Sequence, residues 1–306
     1  MPLHPTIRRM LEKSASYPPL QSLTPDQIRA TDLARYAVVP LPPVASVEDR
    51  MIPGPRGRVR IRIYRPPADE ILPVVTFFHG SGFVICSIDT HDALCRHLCL
   101  RARAAVVSVD YALAPENKFP AGIDDSLCAA RWVSEHAAEF GADPQRHALA
   151  GDSAGGTMAM VTAMRARDGA GPSIKAQILM YPVTDYPDPG PPSYVERGAG
   201  FGLTADAMRY FWGHYLNDVS EGANPHASPL RAGNFANLPA TYVMTAEYDP
   251  LRDEGELLAD KLTAAGVDTA RVRYADMNHG FMSWVGIIDR SQEALDAACV
   301  WLRRRL

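Results

Sequence analysis

Gly151-Asp152-Ser153-Ala154-Gly155 is the stretch on which the reading of this chain turns. It fits the G-x-S-x-G elbow, a sharp strand-to-helix turn that presents a serine hydroxyl to substrate. The flanks suit such a turn. Pro144 to Gly151 reads as a short buried strand ending in glycine, and Ser153 to Arg167 runs without proline, so a helix can begin at the serine. Small residues at Ala154, Gly155 and Gly156 let that helix approach the strand closely. A pattern with three fixed letters recurs by chance, so the assignment depends on the other parts of a serine nucleophile being found elsewhere.

A serine hydroxyl is a poor nucleophile at neutral pH and needs a base, itself held in one tautomer by a carboxylate. On open α/β sheets with this elbow the three follow in the order Ser, acid, His. Leu238 to Ala246 reads as a buried strand and Glu247 to Leu251 as a loop entering a helix, which places Asp249 just past a strand's carboxyl end. Thr269 to Ala275 alternates as a strand and Asp276 to Phe281 leaves it as a loop carrying His279. Asp276 is the rival acid, nearer His279 in sequence, but chain order and position at a strand end favour Asp249. Asp253 and Glu254 fall in the first turn of the next helix, where carboxylates complement the helix dipole.

The apolar run Leu72 to Phe78 ends in His79-Gly80-Ser81-Gly82-Phe83, the place for an HGGG-type loop whose backbone N–H groups stabilise an oxyanion. Serine replaces the middle glycine, and its N–H survives. The expected oxyanion donors are Gly80, Ser81 and Ala154, with His79 as an anchor of the loop. His91, His97, His136, His147, His214 and His226 show no ligand spacing and read as surface or packing residues.

His79 to Phe83, Asp110-Tyr111-Ala112-Leu113-Ala114-Pro115-Glu116, Gly151 to Gly156, Asp249 to Glu254 and His279-Gly280-Phe281 together resemble the ordered signature of the hormone-sensitive-lipase-like family of bacterial esterases. The likeness extends over nearly the whole chain, and its departures are Ser81 for glycine and Ala112 for arginine. The resemblance implies an α/β-hydrolase fold, a mostly parallel, doubly wound eight-stranded sheet with helices on both faces and a helical cap. It also implies cis prolines at Ala114-Pro115 or Phe119-Pro120. The expected activity is that of a carboxylesterase hydrolysing short-chain acyl esters through a serine acyl-enzyme, with no metal or organic cofactor. An amidase, a lactonase or a sugar-ester deacetylase would use the same triad. A non-catalytic small-molecule receptor is the further alternative, since the plant gibberellin receptors are similar to this family yet lack the histidine base; His279 argues for an enzyme.

The remaining sequence agrees. A chain of 306 residues, 47% of them hydrophobic, can bury a large core, and a net charge of −4 offers no basic footprint for nucleic acid. Neither a secretory h-region at the N-terminus nor a run of about 20 apolar residues is present, and five cysteines without paired spacing read as reduced thiols, which together suggest a cytoplasmic protein without a membrane partner. Residues 1–45 combine short helical patterns with proline pairs, and the resemblance implies that they form the N-terminal part of the cap. Residues 46–184 and 221–306 alternate strands and helices as a catalytic domain. Between them, 185–220 begins in a proline-rich stretch and ends in an aromatic helix, which suits a cap insertion whose Phe211 and Trp212, with Phe83, would line the substrate pocket. The last strand should lie at a sheet edge, where its alternation of Val272 and Tyr274 with Arg271 and Arg273 could pair across a two-fold axis into a homodimer.

Overall fold

The computed structural model describes all 306 residues. Its strands are β1 (Ser46–Gly54), β2 (Gly57–Arg65), β3 (Leu72–Phe78), β4 (Ala105–Asp110), β5 (Ala142–Asp152), β6 (Ala176–Met180), β7 (Ala240–Tyr248) and β8 (Thr269–Asn278). They form one eight-stranded sheet in the order β1-β2-β4-β3-β5-β6-β7-β8. The first two strands are an antiparallel hairpin and β2 runs antiparallel to β4; from β4 to β8 every pairing is parallel. The parallel strands are covered on both faces, so successive residues of β6 and β7 feed opposite cores. Leu179 and Val243 belong to a core of 49 buried residues, while Ile178 and Met244 belong to one of 32 on the other face.

The helices are α1 (Pro5–Ser14), α2 (Pro25–Tyr36), α3 (Asp92–Ala102), α4 (Ala121–His136), α5 (Ala154–Arg165), α6 (Pro192–Glu196), α7 (Ala205–Tyr215), α8 (Arg252–Ala264) and α9 (Asp289–Arg303). The larger core lies beneath α4, α5 and α8, the smaller beneath α3 and α9. Cys95 and Cys99 are buried on α3, and all five cysteines are free thiols. No helix is long and apolar enough to cross a membrane.

The first 45 residues add no strand. In α2 the Thr24 side chain accepts the N–H of Gln27 and Gln27 reaches back to Thr24, a capping box that sets the helix start behind Pro25. The segment between β6 and β7 carries α6 and α7. The two segments meet where the Tyr210 hydroxyl donates to the carbonyl of Leu23 at 2.8 Å. Arg29 of α2 reaches the body of the protein, donating to the carbonyls of Val84 (2.8 Å) and Ala114 (2.7 Å) and pairing with Glu116 at 2.8 Å. On the other side α6 is tied down by Glu196 to Arg252 at 2.8 Å and Arg197 to Glu247 at 2.9 Å. The bonds Ala114–Pro115, Phe119–Pro120 and Asp188–Pro189 are cis.

β8 is an edge strand, as β1 is at the other side of the sheet. Arg271 and Arg273 on it pair within the chain, with Asp260 at 2.7 Å and Glu256 at 2.6 Å on α8. At Ala112, where the likeness anticipates arginine, the backbone N–H donates to Asp125 at 3.0 Å. Asp125 takes its cation from Arg56 in the β1–β2 turn, at 2.7 Å.

Candidate active site

β5, β7 and β8 are parallel, so their carboxyl ends lie along one edge of the sheet, and three residues leave from that edge: Ser153 after β5, Asp249 after β7 and His279 after β8. Ser153 has φ 53° and ψ −122°, a region costly for a residue with a side chain, and the cost is offset by the packing around it. The glycines of the motif are required by proximity. A Cβ on Gly155 would lie 1.9 Å from the carbonyl oxygen of Phe78, and one on Gly151 would lie 2.1 Å from that of Gly155. The elbow can form only where strand and helix backbones touch.

His279 Nε2 is 2.9 Å from Ser153 Oγ, and His279 Nδ1 is 2.8 Å from Asp249 Oδ2. An ionised carboxylate only accepts, so the Nδ1–H donates to Asp249 and Nε2 keeps a lone pair for the serine proton. Asp249 is wholly buried and its second oxygen accepts the N–H of Leu251 at 2.8 Å, which fixes the carboxylate's rotation. The Tyr181 ring meets His279 edge-on, with centroids 4.9 Å apart, and confines the imidazole from the side. Asp276 is turned elsewhere, 3.3 Å from the Arg290 guanidinium.

The oxyanion loop corrects one sequence expectation. The N–H of Gly80 donates to Asp152 Oδ1 at 2.6 Å and is therefore spent, and Gly80 has no room for a side chain, because a Cβ would meet Asp152 Oδ2 at 2.3 Å. The N–H groups of Ser81, Gly82 and Ala154 have no protein acceptor. Gly82, whose N–H is free, is the candidate donor in place of Gly80. It has φ 52°, and its Cα faces the ring of Phe211, which a Cβ would meet at 2.6 Å.

The pocket expectation changes as well. Phe211 lies against the oxyanion loop, whereas Phe83 and Trp212 are each 1% exposed and pack into the larger core. Phe83 stacks on Tyr215 at 3.9 Å and meets the edge of Trp212 at 5.4 Å. Phe211, 3% exposed, belongs to the same core, so the three rings form one packed group beside the loop.

Sequence reading passed over two residues beside the nucleophile. Asp152 is buried, and His91 Nε2 lies 3.3 Å from its Oδ1. Burial works to raise the Asp152 pKa, but the charge and hydrogen bond of His91 and the N–H of Gly80 outweigh it and hold the carboxyl below its ordinary range. His91 read as a packing residue because nothing local distinguishes it, and its partner is 61 positions away (152 − 91). His79 is fully buried, stacks on Tyr111 at 4.5 Å and is pushed down to about 3, chiefly by desolvation, so it is a neutral anchor at neutral pH.

Glu254 stands in the first turn of α8, as expected, and is 1% exposed. It accepts the N–H of Thr184 at 2.7 Å and of Asp185 at 3.3 Å, tying α8 to the chain after β6. Burial raises its pKa well above the ordinary 4.5. A raised folded pKa means the folded state keeps a proton that the unfolded chain loses. The associated stability is complete below 4.5 and falls as pH rises toward the folded value. Glu254→Gln mimics the protonated acid, so its melting temperature relative to wild type should climb as pH is raised from 5 toward the folded pKa. A difference that stays flat across that range would show Glu254 to be ionised.

Residues 75–283 match the family described as alpha/beta hydrolase fold. The chain is 44% identical over 280 residues to Esterase LipI of Mycobacterium tuberculosis, covering 90% of this chain and 86% of that protein. It is 36% identical over 241 residues to an ethyl acetate hydrolase of Pseudomonas putida, covering 77% and 75%. Among solved structures, the hyperthermophilic esterase of the archaeon Pyrobaculum calidifontis superposes with a TM-score of 0.92 at 40% identity, with 99% of each chain covered. Sheet order, elbow and these likenesses agree: the chain belongs to the α/β-hydrolase fold and, within it, to the hormone-sensitive-lipase-like esterases.

Proposed function

We propose that this protein is a carboxylesterase that cleaves short-chain acyl esters through an acyl-enzyme on Ser153. The observation that carries the reading is the hydrogen-bonded line Asp249–His279–Ser153 beside three unpaired N–H groups, those of Ser81, Gly82 and Ala154. Ser153 Oγ attacks the ester carbonyl as His279 Nε2 takes its proton, and Asp249 stabilises the imidazolium. The carbonyl oxygen becomes an oxyanion facing those N–H groups. As the tetrahedral intermediate collapses, the C–O bond to the alcohol breaks and His279 protonates the departing alkoxide. Water, deprotonated by His279, then attacks the acyl-enzyme; as this second intermediate collapses, the acyl C–Oγ bond breaks, His279 returns the proton to Ser153 Oγ and the acid leaves.

Short acyl groups are favoured by the cap. Its aromatic side chains turn inward, with Phe211 against the oxyanion loop and Trp212 and Tyr215 in the core, so α7 closes the site and does not form a detachable amphipathic lid. Similarity to an ethyl acetate hydrolase supports the same choice. A series of p-nitrophenyl esters from acetate to palmitate, with amides and lactones for comparison, tests the reading. Butyrate or hexanoate should be cleaved far faster than palmitate, without a jump in rate as substrate passes its solubility limit. Preference for palmitate together with such a jump would make the protein a true lipase, and a faster amide or lactone would move it to another acyl transfer on the same triad.

A further inference from the structure

The loop His79–Phe83 carries two of the three candidate oxyanion donors, and nothing in its own sequence makes it rigid. Backbone N–H groups of Val84 and Ile85 donate to the carbonyl of Ser81 and that of Ala114 to the carbonyl of Phe83, and two hydroxyls tie the loop across its ends. Tyr111 Oη is 2.6 Å from the carbonyl oxygen of His79 and 2.7 Å from Ser81 Oγ, and the N–H of Phe83 donates to Ser81 Oγ at 2.8 Å. Proton counting fixes the direction of these bonds. A carbonyl only accepts, so the single phenol proton of Tyr111 goes to His79. Ser81 must then donate its own proton to Tyr111 Oη, while its oxygen accepts from Phe83. The relay runs Phe83 N–H to Ser81 O–H to Tyr111 O–H to the carbonyl of His79. It closes across both ends of the loop, with the N–H groups of Ser81 and Gly82 between. None of the four residues is more than 3% exposed, so water cannot replace a missing member. Gly80, clamped to Asp152, is a further fastening of the loop.

We propose that Tyr111 and Ser81 are positioning residues for the oxyanion hole, their hydroxyls holding the Ser81 and Gly82 N–H groups in the arrangement that a tetrahedral intermediate requires. The serine at position 81 is then a functional member of the loop and not a tolerated departure from glycine. The proposal rests on the esterase reading above. A misaligned donor loses stabilisation of the transition state while substrate binding is little affected, so the effect belongs in kcat.

The experiment compares wild type with Tyr111→Phe, Ser81→Ala and the double variant. It measures kcat and KM for p-nitrophenyl butyrate and the inhibition constant of an alkyl trifluoromethyl ketone, whose adduct with serine places an oxyanion in the hole. Each single variant should lower kcat about tenfold, less than the ~10²–10³ for a donor removed outright, and weaken the ketone to a similar degree. KM should stay within about twofold, and the double variant should be about as slow as the slower single one, because one relay is broken only once. Single variants within twofold of wild type in kcat and ketone affinity would overturn the proposal, as would losses confined to KM or losses that multiply in the double variant. Should Tyr111→Phe fail to fold, Ser81→Ala decides by the same criteria, since it removes a hydroxyl and leaves every aromatic contact. A wild-type protein inactive on all esters refutes the esterase reading and this proposal with it, whereas active wild type with unaffected variants refutes this proposal alone.

Discussion

Ser153→Ala is expected to fold as wild type does and to lose about 10⁶ in turnover, because nucleophile and base act as a unit. The fold should survive because the hydroxyl's hydrogen bond is to His279 and its side chain caps no helix end, while alanine meets the same backbone strain as serine at φ 53°. Initial rates on p-nitrophenyl butyrate and a thermal melt check both halves. A phosphonate ester adds an independent readout, since it should label wild type once, at Ser153, and leave the variant unlabelled. Activity within a hundredfold of wild type, in protein purified free of host esterase, would sink the assignment of the nucleophile.

Asp249→Asn should cost about 10⁴ in kcat. An amide nitrogen turned toward Nδ1 favours the tautomer with its proton on Nε2, which cannot accept from Ser153. The site also loses the buried charge that stabilises the imidazolium. Asp276→Asn should stay within about threefold of wild type, since that carboxylate faces Arg290 and its effect on the imidazole is remote. Steady-state kinetics on the two purified variants separates the candidates, and the reverse ranking would reassign the acid.

Where the fold was legible in the sequence, one local signal was enough to define an element. β3 spans the apolar run Leu72 to Phe78 that His79-Gly80 stops, and β8 begins at Thr269, where the alternation begins. The order of Ser153, Asp249 and His279 and their places after strands were legible for the same reason, since a parallel sheet carries strand ends to one edge. Choices among neighbours were not legible. Sequence locates the oxyanion loop, but Gly80 and Gly82 differ only in what lies across from them, a carboxylate 72 positions on in one case and the ring of Phe211 in the other. Phe83 and Trp212 carry the residue types of a pocket wall, and only packing shows that they face each other. The roles of His91 and Tyr111 depend on partners brought near by β5 and β3, so no window around either residue contains its signal.

Arg29 joins regions that would otherwise be free to vary separately. One guanidinium on the N-terminal segment holds the carbonyl of Val84, just past the oxyanion loop, and that of Ala114, in the segment that begins at Tyr111. On the proposed function, the N-terminal segment as part of the cap would help decide which esters enter, and the loop beneath it how fast they react. In this protein the two share a fastener. A redesigned cap that discards α2 to admit bulkier esters would also remove a support of the loop that stabilises charge, so breadth of substrate and speed of turnover are coupled traits unless the replacement cap brings an arginine to the same two carbonyls.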